Sequence, residues 1–167
     1  MYNSDMFHEK ELGVRLNRAV RRSPEAVRLI SDCNRMVTYA MLLIYPAVLL
    51  IMLLEKNSHF LRALLIPAAS LAFLTAFRPA VGRKRPFEVL DIEPLLPKEK
   101  GICSMPSRHV FSAAVISMAA AQVSPLLGGI GWIMTLVLGV CRVAAGVHYI
   151  SDVAAGIAAG FLLGLLI

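Results

Sequence analysis

The chain has 167 residues, of which 57% are hydrophobic and 17% charged, with a mean hydropathy of +0.68. That length fits one domain, and the composition excludes disorder, a coiled coil and an ordinary soluble globule. The excess of 17 Lys and Arg over 11 Asp and Glu suits anionic headgroups or a phosphorylated substrate, and the apolar runs leave no soluble domain for nucleic-acid binding.

Charge is segregated into residues 8–35 and 78–108, and the long uncharged runs between and after them mark an integral membrane protein. Residues 1–35 are polar and basic, with no apolar stretch of the kind a cleavable signal peptide needs. Leu12, Leu16, Ala19, Ser23, Val27 and Ile30 share one helical stripe, while Arg15, Arg18 and Arg22 lie on another face. Ser23-Pro24-Glu25 has the composition of a helix restart, Ser as cap and Pro in the first position. The segment is expected to be a basic amphipathic helix at the membrane surface.

Residues 36–167 form the expected transmembrane domain, an all-α multi-pass bundle. Residues 36–54 are uncharged and long enough to cross a bilayer core, with Pro46 inside. A polar turn at 55–59 leads to a second span at 60–77, where Arg62 can snorkel. Residues 78–108 form a long Pro-containing connection, a length uncommon without a function. The uncharged run 110–141 is too long for one span and is divided at Ser124-Pro125 and Gly128-Gly129 into two helices. A last span covers 151–167, giving five. Its Gly156, Gly160 and Gly164 form a small-residue stripe that lets backbones approach closely, a candidate surface for a homo-oligomer. Cys33, Cys103 and Cys141 have no C-x-x-C spacing and read as packing residues.

Polar groups against a bilayer are costly, so their positions are informative. They fall into three clusters at 78–86, 106–109 and 141–152. The even number of crossings between clusters places all three on one membrane face. Arg78, Arg85, Ser107, Arg108, His109, Arg142, His148 and Asp152 thereby converge. Several guanidiniums together repel a metal cation, and no H-E-x-x-H spacing is present, so no metal or other cofactor is expected. Guanidiniums match phosphate oxygens, and Ser107 at a helix start adds anion binding. Two histidines and a carboxylate beside a phosphate point to phosphoryl transfer. One His would attack phosphorus and the other protonate the leaving alcohol. His148 and Asp152, four apart, would share a helix face.

These clusters resemble the three signature motifs of the type 2 phosphatidic acid phosphatase and vanadium haloperoxidase superfamily. Its first motif, Lys-x6-Arg-Pro, corresponds to Arg78 through Arg85-Pro86; its second, Pro-Ser-Gly-His, to Pro106-Ser107-Arg108-His109. Its third, Ser-Arg-x5-His-x3-Asp, corresponds to Cys141-Arg142, His148 and Asp152. The resemblance covers roughly residues 60–167. It implies a membrane phosphatase acting on a lipid phosphate or polyprenyl diphosphate without a metal. On that reading His148 forms a phosphohistidine, Asp152 is its charge-relay partner and His109 is the general acid. Arg78, Arg85, Ser107 and Arg142 hold the phosphate. Arg78 stands for Lys, Arg108 for Gly and Cys141 for Ser, and Arg108 would contact phosphate or a second anionic group. Members commonly have six spans, so this chain would lack the first. A non-hydrolytic lipid-phosphate binder or phosphotransferase, and a vanadate-dependent haloperoxidase, remain as alternatives. Fifteen Lys and Arg lie on the site's side of five spans against Lys56 and Arg62 on the other, an asymmetry that places the site at the cytoplasmic face.

Overall fold

The computed structural model describes residues 2–98 and 103–167, with side chains from residue 8 onward. Glu99 and Lys100, part of the basic connection, lie outside the described residues. Helix α1 spans Tyr2–Arg21, and α2 spans Pro24–Leu54 without interruption at Pro46. The restart at Ser23 forms as its composition dictates. Its side chain accepts from the Ala26 N–H at 3.2 Å, and Pro24 needs no donor partner in the first turn. The helix boundary therefore falls at Ser23, and residues 24–35 belong to the same helix as the first span.

The docked face of α1 takes up only part of the apolar stripe: Leu16 packs against the cluster of Met41, Val110 and Leu138. Leu12 is 54% exposed, whereas Asn17 is fully buried and donates through Nδ2 to the Ala144 carbonyl at 3.2 Å. Ala144 ends a helix, where carbonyls lack intrahelical donors, and a polar side chain satisfies one of them. A polar contact at Asn17 and an apolar one at Leu16 together define the face of α1 that docks.

Helix α3 spans Phe60–Val81 and ends on Gly82 in the left-handed region at φ 63°, where glycine carries no steric penalty. A one-turn α4, Pro86–Val89, follows. Then come α5 (Arg108–Ala121), α6 (Pro125–Ala144) and α7 (Ile150–Gly164). Ser124 and Pro125 open α6 as the expected division requires, but Gly128 lies within α6, not in a turn. A Cβ there would fall 2.6 Å from that of Ala121, so the residue serves close packing on α5.

Helix α5 is central and packs on α2, α3, α6 and α7. Phe111, Val115 and Ala119 from α5 meet Val48, Met52 and Leu74 in the largest apolar cluster. Many large apolar side chains face outward, among them Leu43, Phe73, Ile133 and Leu162, as a lipid-facing surface requires. Helices α2, α3 and α6 lie in segments long and apolar enough to cross a membrane. Helices α5 and α7 have 14 and 15 residues, about 21 and 22 Å at 1.5 Å per residue, so length alone does not make them spans.

The glycine stripe of α7 corrects an expectation. A Cβ at Gly156 would lie 2.8 Å from the Ser107 carbonyl, one at Gly160 2.6 Å from the Ala114 Cβ, and one at Gly164 2.4 Å from Met118 Cγ. The stripe is filled by α5 of the same chain and gives no support to a homo-oligomer.

Candidate active site

The three polar clusters meet at one end of the bundle. Arg78 occupies the last turn of α3, is buried, and donates to the Cys103 carbonyl. Arg85 caps α4 and is 1% exposed; its backbone N–H donates to Glu88 Oε2 at 2.8 Å. Ser107 caps α5 and is fully buried. Its backbone N–H donates to the Asp152 carbonyl at 3.0 Å, while its Oγ has no hydrogen-bond partner among the described residues. Arg142, in the last turn of α6, is also buried.

His109 lies in the first turn of α5, and its Nδ1 contacts Nη2 of Arg142. A guanidinium has only donors, so Nδ1 accepts and the imidazole proton of neutral His109 sits on Nε2. Arg108 is partly exposed, and with His109 it lines a cavity of about 330 Å³ whose other walls are mainly apolar side chains of α2, α3, α5 and α6.

His148 and Asp152 are paired, but not as neighbours on one helix. His148 sits in the loop before α7, and Asp152 lies in that helix's first turn. Asp152 Oδ2 accepts from the Tyr149 N–H at 2.9 Å, a capping contact, and faces His148 Nδ1 at 3.4 Å. The pair forms because a carboxylate at the third helical position reaches back over the helix start. Both side chains are within 1% of complete burial. Burial pushes the His148 pKa down from its ordinary 6.5, Arg142 and Arg85 push the same way, and Asp152 opposes them. The neutral imidazole is favoured, with Nε2 left for chemistry.

All eight expected residues thus sit at this end of the bundle, with Arg108 turned towards the apolar cavity. Three residues outside that set also reach it. Arg83 contacts Asp152, Glu9 contacts Arg83, and Asn17 holds the α6 end of the His148 loop. Arg83 was visible only as one cation in a basic run. Nothing local marks Glu9, which is 74 residues from Arg83.

Sequence comparison agrees with this geometry, since the profile of the PAP2 superfamily matches residues 59–167. The chain belongs to the PAP2 superfamily. It is a multi-pass membrane phosphatase of the lipid phosphate class. The PAP2 fold is shared with the first transmembrane PAP2-type phosphatidylglycerolphosphate phosphatase from Bacillus subtilis, at TM-score 0.75 and 20% identity. That likeness covers 98% of this chain and 84% of the other. Aquifex aeolicus LpxE is similar at TM-score 0.74 and 20% identity, over 93% of this chain and 92% of that one. No curated protein matches the chain in sequence.

Proposed function

We propose that this PAP2 protein hydrolyses a lipid phosphate monoester or diphosphate through a phosphohistidine on His148. The observation that carries the reading is the gathering of buried guanidiniums beside the two histidines, with Arg142 on His109 and both Arg142 and Arg85 acting on His148. Arg78, Arg85 and Arg142 are buried at the site, and Asp152 is the one buried carboxylate among the described residues. Guanidiniums match phosphate oxygens in geometry and charge, and one phosphate offers oxygens to several of them at once. Ser107 Oγ, buried and with no partner among the described residues, adds a donor to the same anion.

In the proposed reaction His148 Nε2 attacks phosphorus while Asp152 steadies the positive imidazole at Nδ1. The bond to the leaving oxygen breaks, and His109, an imidazolium once the phosphate takes over the Arg142 guanidinium from Nδ1, delivers its Nε2 proton to that oxygen and is left as neutral imidazole. Arg78, Arg85 and Arg142 balance the charge on the equatorial oxygens, the task a metal performs elsewhere. Water then attacks the phosphohistidine, His109 takes its proton, and inorganic phosphate leaves with His148 regenerated.

The apolar cavity beside Arg108 and His109 supports a substrate with hydrocarbon chains next to its phosphate. Candidates are undecaprenyl diphosphate or another polyprenyl phosphate, phosphatidylglycerophosphate, which the Bacillus subtilis relative's name indicates, and phosphatidic acid. With α2, α3, α5, α6 and α7 as five crossings, the 15 to 2 asymmetry of Lys and Arg supports a cytoplasmic active site. The test is phosphate release by purified protein across these lipids in the presence of EDTA, with His148→Ala as blank. Release from at least one lipid is expected. A requirement for added magnesium, or binding without release, overturns the reading.

A further inference from the structure

Two charged residues outside the three motifs reach the carboxylate behind His148. Arg83, in the turn after α3, donates through Nη1 to Asp152 Oδ1 at 2.7 Å and to Ser151 Oγ at 2.6 Å. Its Nη2 donates to Glu9 Oε2 on α1 at 3.2 Å. Glu9 Oε1 in turn accepts from the Ser151 backbone N–H at 2.5 Å. The Arg83 guanidinium also lies over the Tyr149 ring, 4.1 Å from its centroid. The Arg83 and Glu9 side chains are only 21% and 15% exposed, so screening by solvent is weak.

The geometry is economical at Asp152. A carboxylate's terminal torsion is broad and roughly two-fold, so a lone Asp presents either oxygen. Here Arg83 takes Oδ1, which leaves Oδ2 for the Tyr149 N–H and His148. Glu9 fixes the opposite side of the same guanidinium. Helix α1 is held at a second point eight residues on, where Asn17 meets the Ala144 carbonyl. Gly146 allows this approach, since a Cβ there would lie 3.1 Å from Asn17 Nδ2. The loop carrying His148 is therefore gripped at both ends by α1.

We propose that Glu9 and Arg83 are positioning residues: Glu9, carried on α1, orients Arg83, and Arg83 locks the Asp152 carboxylate in the rotamer that faces His148. The N-terminal helix then completes the active site. The proposal rests on His148 being the nucleophile. Asp152, Arg85 and Arg142 set the field at His148 directly, and Glu9 and Arg83 add opposite charges behind Asp152. Removing one or the other should shift that field in opposite directions.

The test uses the full chain in detergent micelles containing a lipid phosphate that the wild type hydrolyses. For Glu9→Gln, kcat is expected to fall roughly 10- to 100-fold with KM changed less than about twofold, the pattern of a misoriented catalytic group. Arg83→Lys should recover part of the loss seen in Arg83→Met. Nitrogen-15 NMR of labelled histidines, assigned with His148→Gln, reads the His148 titration whether or not turnover occurs. Its midpoint should fall in Glu9→Gln, where Arg83 is left unbalanced, and rise in Arg83→Met. Full kcat in Glu9→Gln with an unmoved His148 midpoint overturns the proposal. So does a lower melting temperature with unchanged kcat, because the pair would then only anchor α1. If the wild type releases no phosphate from any lipid, the proposed function falls, and the two titration shifts alone decide the positioning role.

Discussion

The backbone N–H of Ser107 donates to the backbone carbonyl of Asp152 at 3.0 Å, joining the start of α5 to the first turn of α7. This bond needs the two helices nearly in contact, which Gly156 permits. A Cβ at that residue would stand 2.8 Å from the Ser107 carbonyl. The glycine stripe therefore sets the distance between the second and third motifs.

Gly160→Ala places a methyl group 2.6 Å from the Ala114 Cβ and 2.8 Å from the Phe111 carbonyl. Overpacking of this kind costs about 1–3 kcal/mol. Thermal unfolding in detergent should show a lower midpoint, with part of the activity lost as α5 is pushed from α7. An unchanged midpoint accompanied by a change in oligomeric state would return the stripe to an intermolecular role.

The two histidines should separate by leaving group. His148→Ala removes the nucleophile and is expected to abolish turnover on every substrate. His109→Ala removes only the proton donor, so an activated ester with a low-pKa leaving group should recover part of the rate. Identical responses of both variants to leaving-group pKa would refute the assignment.

Burial lowers the His148 pKa below 6.5, with Arg142 and Arg85 assisting and Asp152 opposing. Below pH 6.5 the unfolded chain then binds more protons at this residue than the native state. Its contribution to stability rises with pH through that window and is lost as pH falls below 6.5. Melting temperatures across the window should lose this component in His148→Phe. The neutral imidazole also persists below 6.5, so the acid limb of kcat/KM belongs below that value. An acid limb above it contradicts a neutral buried nucleophile.

Arg108 opens α5 and lines the apolar cavity together with His109. Arg108→Gly should reduce kcat/KM for diphosphates or doubly charged lipids more than for simple monoesters, by about tenfold if one charge-assisted contact is lost. Parallel assays on a monoester and a diphosphate of the same lipid check it, and equal losses assign Arg108 to plain phosphate binding or to structure.

Orientation is open to direct labelling. Single cysteines replacing Ser58 and Glu99 in a cysteine-free background should react differently with an impermeant thiol reagent on intact cells. Labelling at 58 and not at 99 is expected for a cytoplasmic site; the reverse overturns that orientation.

Much of this protein was determined by sequence alone. Ser23-Pro24 and Ser124-Pro125 specify where helices α2 and α6 begin, because the Ser23 cap and the missing donor of a proline in the first turn are local effects. Motif spacing likewise named eight polar residues as candidates, since a membrane interior tolerates such groups only where they serve each other. Tertiary structure decided what depends on partners distant in the chain. Asp152 meets His148 by capping the start of α7, not along a shared helix face, and the glycine stripe belongs to α5. Asn17 docks α1 beside Leu16 of the apolar stripe, because the carbonyl end of α6 needs a donor as well as an apolar cover. Glu9 joins the site only when that docking brings it to Arg83, and no periodicity or spacing within α1 encodes a partner 74 residues away.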